Sequence, residues 1–366
     1  MMSLDSWTPR RWARTITESD LWWEGKTDRP LIPVVAPKEN PAPWTARQRF
    51  EYWQPAYAAS VSTEEILEAE EQFLSRQEFL ADACPMTWFN YGPGVIAAFL
   101  GAAADFDPKS QTVWFHAKEA CPVKDLNFIL NQQHPWYLRL EELYQLADQR
   151  WQGRVQVGMT DLGGNLDILY SFRSGEELLF DLYDDPSNVE RLTWQAHEAW
   201  WKAFDHFRSL TPHNPGFNNW ASIFSSQPTY MLQCDFAYMI SPDMFDRFVK
   251  PEIVRCCQRL GGRAFYHLDG IGQLPHLDSL LSIPELAGVQ WVPGTGSKKT
   301  EEWPEVFAKI LKAGKKAQFI GSDIYGFDKL VEQLGSAKGF VLAPHWSGRE
   351  KLEEALRIAE KFGVPV

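Results

Sequence analysis

The sequence predicts a single (β/α)8 TIM barrel, with residues 1–30 as an N-terminal arm and 31–366 as the barrel. Three observations predict it. The C-terminal third repeats an apolar strand, a polar strand end and a helix-period segment: AFYHLDG (264–270), GVQWVPG (288–294), AQFIGSD (317–323) and GFVLAPH (339–345). Connections this short between strand and helix make the sheet parallel. The alternation extends backwards to strands near 31, 86, 155 and 217. Across the 366 residues no linker or low-complexity tract offers a domain boundary.

In chain order, residues 1–30 are Trp-rich without a clean period and read as an arm packed on the surface. LIPVVA (31–36) is a β-branched run bounded by proline, a buried strand. TEEILEAEEQFLSRQEFLAD (63–82) carries apolar residues at helical spacing, with Thr63 as N-cap. MTWFN (86–90) is a strand, 110–118 a candidate β-hairpin insertion, 134–149 a helix and VQVGMTD (155–161) a strand. Residues 176–207 form two helices separated at Asp185-Pro186, because proline disfavours helical backbone in the residue before it. GFNNWAS (216–222) is read as the next strand. A helix over 241–261 has Ser241 as N-cap and Pro242 in its first turn, and ends at Gly261-Gly262. The last helices fall at 275–283, 301–313, 326–335 and 349–362.

Composition limits the function. Formal charge is −12 and no Lys/Arg cluster occurs, which excludes a phosphate-backbone partner. No apolar run approaches the ~18 residues of a membrane span. No apolar segment follows the N-terminal charges, so a secretory signal is not expected and the chain is placed in the cytoplasm. The five cysteines are odd in number and form no CxxC, which suits reduced thiols and excludes a disulfide scaffold. The 17 tryptophans either fill core and helix–strand contacts or line a pocket for an apolar or cationic ligand.

In such barrels chemistry gathers where strands end. Those ends carry Asn90-Tyr91, Asp161 with Gly163-Gly164, Trp220, His267 and Asp269, Gln290-Trp291, Asp323, and His345-Trp346. The set is acidic and aromatic, with no Arg or Lys. His267 and Asp269 are two apart on an extended segment and share a face. With His345 from the last strand they form a candidate site for Zn, or another divalent transition metal, with positions left open for water or substrate. A hydrogen-bonded His267–Asp269 pair with an unrelated His345 is the alternative. Asp235 and Asp161 are candidate catalytic residues that orient the substrate. Asn90, Tyr91, Trp220, Gln290, Trp291, Asp323 and Trp346 are candidate substrate contacts. Cys234, beside Asp235, is either an inert buried thiol or a nucleophile. GxGxxG, a P-loop and GxSxG are all absent.

LLFDLYDDPSNVERL (178–192), CDFAYMISPDMFDRFVKPEI (234–253) and YHLDG (266–270) resemble, in that order, three motifs of the uroporphyrinogen decarboxylase superfamily. The similarity covers about 155–362, with the first 150 residues matching by element order. The resemblance implies a barrel enzyme. Two departures bear on the activity: where the decarboxylases carry an arginine-rich segment after the first strand this chain has PKENPAPW, and Asn90 stands at the family's key aspartate. The resemblance therefore lies nearer the branch of zinc methyltransferases that move methyl groups between corrinoid proteins and thiols. By position His267 matches that branch's histidine, Asp269 replaces its first cysteine, and His345 lies beside its second. This implies a metal-dependent methyl transfer to or from a small molecule, with a corrinoid carried by a partner protein. A cofactor-free decarboxylase and a non-catalytic small-ligand-binding barrel are the alternatives. A second copy of the chain is an allowed partner; nucleic acid and membrane are not expected.

Overall fold

A computed structural model describes residues 7–46, 60–107, 109 and 112–366. It is a mixed α/β fold whose strands are mostly parallel. The strands in chain order are β1 (Pro33–Pro37), β2 (Gln77–Ala81), β3 (Met86–Trp88), β4 (Ala103–Asp107), β5 (Thr112–His116), β6 (Gln156–Gly158), β7 (Tyr230–Gln233), β8 (Ala264–Asp269), β9 (Leu286–Val292), β10 (Lys316–Phe319), β11 (Phe340–Leu342) and β12 (His345–Trp346). β7 to β11 form one parallel sheet in sequential order, the arrangement expected of successive βα units. A parallel bridge from Leu31 to Val341 and the parallel pairing of β12 with β1 carry the last strands round to the first. β3 pairs in parallel with β6, and Met159 bridges to Asn219. Among the described residues these ladders do not join into a closed ring.

Four local expectations are corrected. The helix that begins in 63–82 covers only Thr63–Ser75, and its N-cap is Ser62, whose side chain forms a capping box with Glu65. The remainder is β2, antiparallel to β1 from Pro33↔Ala81 to Pro37↔Gln77. Pairing along the free edge of β1 satisfies more backbone groups than another helical turn would, so tertiary contact overrides local propensity. Residues 216–222 are not a strand: Phe217 and Asn219 make only isolated bridges, and the strand at that point is β7, which no sequence pattern announces. The hairpin lies earlier than 110–118, as β4 against β5, and 110 and 111 are outside the described residues.

The N-terminal arm is a helix, Pro9–Trp23, with Trp12, Trp22 and Trp23 buried. Trp22 Nε1 donates to Phe340 O and Trp23 Nε1 to Phe224 O, each at 2.9 Å. Both rings meet Phe265, Trp22 stacked at 6.2 Å and Trp23 edge-on at 5.6 Å. With Leu31, Ala221, Ile223, Met231 and Val341 they form a small core separate from the main one. Gly288, opposite Phe265 in β9, makes room for that ring: a Cβ there would lie 2.5 Å from it. Successive strand residues face opposite ways, so Phe265, His267 and Asp269 share one face of β8. The first helix therefore covers the start of that face, and the polar residues occupy its far end.

The remaining helices follow expectation closely. Ser174 caps Gly175–Asp184 with a capping box to Glu177, and Pro186 opens Pro186–Ser209. Ser241 caps the next helix, accepting from Met244 N. That helix is interrupted by a π turn, Phe245–Val249, just ahead of Pro251, which has no N–H to donate. No helix among the described residues is long and apolar enough to cross a membrane.

Candidate functional site

The register of three adjacent strands builds the site. His267 pairs with Gln290 across β8 and β9, and Gln290 with Gln318 across β9 and β10. The three side chains therefore stand in one row on the same face. They are joined: His267 Nδ1 bonds Gln290 Oε1, Gln290 Nε2 donates to Gln318 Oε1 at 2.7 Å, and Gln318 Nε2 donates to Ala221 O at 2.7 Å. Both glutamines are fully buried. The chain can run in only one direction. A carbonyl oxygen only accepts, so the NH2 of Gln318 must face Ala221, its Oε1 must accept from Gln290, and Gln290 Oε1 must accept from His267. Nδ1 thus carries a proton, so the lone pair of the ring, when a cation displaces the second proton, lies on Nε2.

Nε2 faces acid groups. It lies 3.8 Å from Asp269 Oδ2, and donor atoms of Asp235, His267 and Asp269 all lie within 4.8 Å of one another. Trp220 stands edge-on to the His267 ring at 5.2 Å and walls this group on one side. Behind Asp235 lie two further carboxylates. Asp167 accepts from the backbone N–H of Asp235 and of Phe236, each at 2.8 Å, and so anchors the short 3-10 turn Asp235–Met239. Asp161 accepts from Gly163 N at 2.8 Å and from the Tyr230 hydroxyl at 3.5 Å. Gly163 has φ +70 and its α-carbon face packs against Gly94, leaving no space for a side chain.

These carboxyls hold their protons more tightly than usual. Burial pushes Asp161 up to about 7, with the charge of Asp235 adding to it. Burial and then Asp235 raise Asp167 well above the carboxylate range. Asp269 is raised by burial against the opposing pull of His267, with Asp235 again adding. Excess negative charge in a partly dry site is what a divalent cation relieves. One nitrogen lone pair and two carboxylates are a donor set that suits such an ion, so the residues fit the metal expected here.

The other predicted site residues are more scattered. His345 does not join the group; Asp235 takes its place. β12 runs beside β1, with His345 opposite Val34, and its ring lies 6.1 Å edge-on to Tyr325. Burial lowers its pKa, and Asp323 partly offsets this. Asp323 is the N-cap of Ile324–Leu334, accepting from Gly326 N at 3.0 Å. Trp291 is fully buried and packs on Trp303 at 5.5 Å, away from the row of Gln290, because adjacent residues of a strand face opposite sides. Trp346 is exposed and meets Phe73 at 5.6 Å. Among the described residues no ring contact links Trp220, Trp291 and Trp346. Tyr91 is buried against Trp136, and Asn90 accepts from Gly92 N at 3.1 Å, bracing its own loop. Cys234 is fully buried and its thiol is pushed well up, chiefly by burial, which suits an inert thiol.

Two contributors escape the sequence reading. Gln318 is a fully buried amide between Ala317 and Phe319, a choice that marks a buried polar partner. Asp167 shares its face of a short helix with no other acid, and only the fold brings it under Asp235.

No family model and no curated protein matches the chain by sequence. Among solved structures it is similar to a methyltransferase from Methanosarcina mazei, with a TM-score of 0.61 and 10% identity over 96% of this chain and 99% of that one. The likeness is one of overall fold.

Proposed function

We propose that the chain is a metal-dependent enzyme that transfers a methyl group to or from a small molecule, within strands completing a (β/α)8 barrel. The observation that carries this reading is the row His267–Gln290–Gln318, which holds the Nε2 lone pair of His267 toward Asp235 and Asp269. The fold-level likeness to a methyltransferase supports the reaction class. His267, Asp269 and Asp235 would hold the ion, which supplies a Lewis acid that lowers the pKa of a bound heteroatom. Trp220 limits water beside His267, and Asp161, whose pKa burial raises to about 7, can donate a hydrogen bond to substrate in its protonated form. A corrinoid carried by a partner protein is the proposed methyl carrier. No Arg or Lys stands among these site residues to pair with a polyanionic substrate such as uroporphyrinogen, which sets the decarboxylase reading second.

The test is elemental analysis of protein purified without chelator. His267→Ala is expected to lose one equivalent of divalent metal while keeping its circular dichroism spectrum. Equal metal content in both proteins would overturn the assignment.

A further inference from the structure

A second group of ligand atoms lies away from the strand ends, between two helices. His197 comes from Pro186–Ser209; Glu252 and Cys256 come from Lys250–Arg259, four residues apart and so on one helical face. All three are buried. His197 Nδ1 lies 2.7 Å from Glu252 Oε1, Cys256 Sγ 2.9 Å from the same oxygen, and Sγ 3.7 Å from Nδ1. The other carboxylate oxygen is held by Asn165, whose Nδ2 donates to Glu252 Oε2 at 3.0 Å and to Val249 O at 3.1 Å. Asn165 Oδ1 accepts from Leu166 N at 2.9 Å, so its amide can face only this way. Asn165 adopts φ +50 to do so. Oε1 is thereby left as the carboxylate atom presented to His197 and Cys256.

We propose that His197, Glu252 and Cys256 form a second, buried metal site for a thiophilic divalent ion such as Zn²⁺. On zinc bonds of about 2.0–2.3 Å the edges of a tetrahedron measure about 3.3–3.6 Å, so the Sγ–Nδ1 separation already fits and Oε1 draws back by about 0.6 Å from each partner once the two hydrogen bonds to it are given up. Charge favours the ion as well. A neutral imidazole, a carboxylate and a thiolate cancel a dipositive ion, which would replace the hydrogen bonds that His197 and Cys256 now make to Glu252 Oε1. On binding, the Cys256 thiol releases its proton to solvent and the Nδ1 proton moves to the other ring nitrogen, leaving Sγ and Nδ1 as ligands. A narrow cavity bounded by Gly163, Gly164, Gln233 and Trp200 adjoins the group. It gives the ion a route to a fourth ligand, a water. The ion would tie both helices to the Asn165 turn, which follows directly on the loop of Asp161. The site thus stiffens the scaffold behind the strand-end residues without touching substrate, and it stands whether or not the methyl-transfer reading does.

The test uses the full chain produced in medium containing Co²⁺. Cobalt bound to a thiolate has a sulfur-to-metal charge-transfer absorption in the near ultraviolet that N/O ligands do not produce. The expected result is one such cobalt per chain, retained in the His267→Ala protein, retained in Cys257→Ser and lost in Cys256→Ser. Absence of the band from the unsubstituted protein, or its persistence in Cys256→Ser, overturns the proposal. Should Cys256→Ser fail to fold, X-ray absorption at the zinc edge of the His267→Ala protein, which keeps only the inter-helix site, decides. One sulfur neighbour at about 2.3 Å supports the site, and an all-N/O shell overturns it.

Discussion

The free ring nitrogen of His267 is set by two fully buried glutamines. The amide of Gln318 reads the fixed direction of the Ala221 carbonyl and passes it through Gln290 to the imidazole, setting which ring nitrogen is free. Gln318→Leu removes the acceptor that orients Gln290, so that amide becomes free to turn and His267 to populate both tautomers. The ¹⁵N shifts of the imidazole check this: a single Nδ1–H form in the unsubstituted protein, and averaged shifts in the variant. Unchanged shifts would show that β8 alone fixes the ring. Leaving the Ala221 carbonyl and the Gln290 amide unsatisfied should also cost about 1–3 kcal/mol of stability. Gln290 was legible as a site residue because it lies near the end of a strand. Gln318 was not, because its role depends on two strand registers at once.

At the scale of elements, the first helix shows how far tertiary contact extends a weak sequence signal. Residues 1–30 lack a clean apolar period because the tryptophans serve two surfaces. Trp12 packs toward Phe224 while Trp22 and Trp23 close over Phe265. Trp22→Ala should destabilise the protein by about 3–5 kcal/mol in urea denaturation, as for other buried large-to-small aromatic changes. A loss under about 1 kcal/mol would mean that the segment is a loosely held arm after all. The two helices around Asp185-Pro186 and the Ser241 cap were readable because proline geometry and capping act over a few residues. β2 and β7 were not. QEFLA suits a helix until β1 offers it an edge, and YMLQ is too short to display a period.

For the whole molecule, the site imposes a pH dependence on stability. The folded state holds the Asp161 proton up to about pH 7, and Glu70, half-buried on its helix beside Thr87, behaves likewise at about 7. Unfolded carboxyls lose theirs near 4. Between those values the folded chain binds protons that the unfolded chain has released, so stability falls as pH rises from about 4 to 7, and the loss is complete above that. Every tenfold difference in proton affinity between the folded and unfolded chain is worth about 1.4 kcal/mol. In chelator, the unfolding free energy should therefore be lower at pH 8 than at pH 5. Asp161→Asn, which keeps the acceptor for Gly163 N, should narrow the difference. An equal difference in both proteins would show that Asp161 ionises normally.

Taken alone, the sequence determined the alternation of strands and helices after residue 264, the capped helix ends, and the shared face of His267 and Asp269. All of these rest on periods of 2 or 3.6 and on interactions reaching at most four residues. The tertiary structure alone decided that Asp235 joins His267 and Asp269 while His345 sits beside Asp323, and that Trp291 lies in the core. It alone decided, too, that Cys256 and Glu252 meet His197. The physical reason is common to all of them. Which strand end or helix face lies opposite another depends on register and packing summed over the whole sheet, and no local pattern carries that sum.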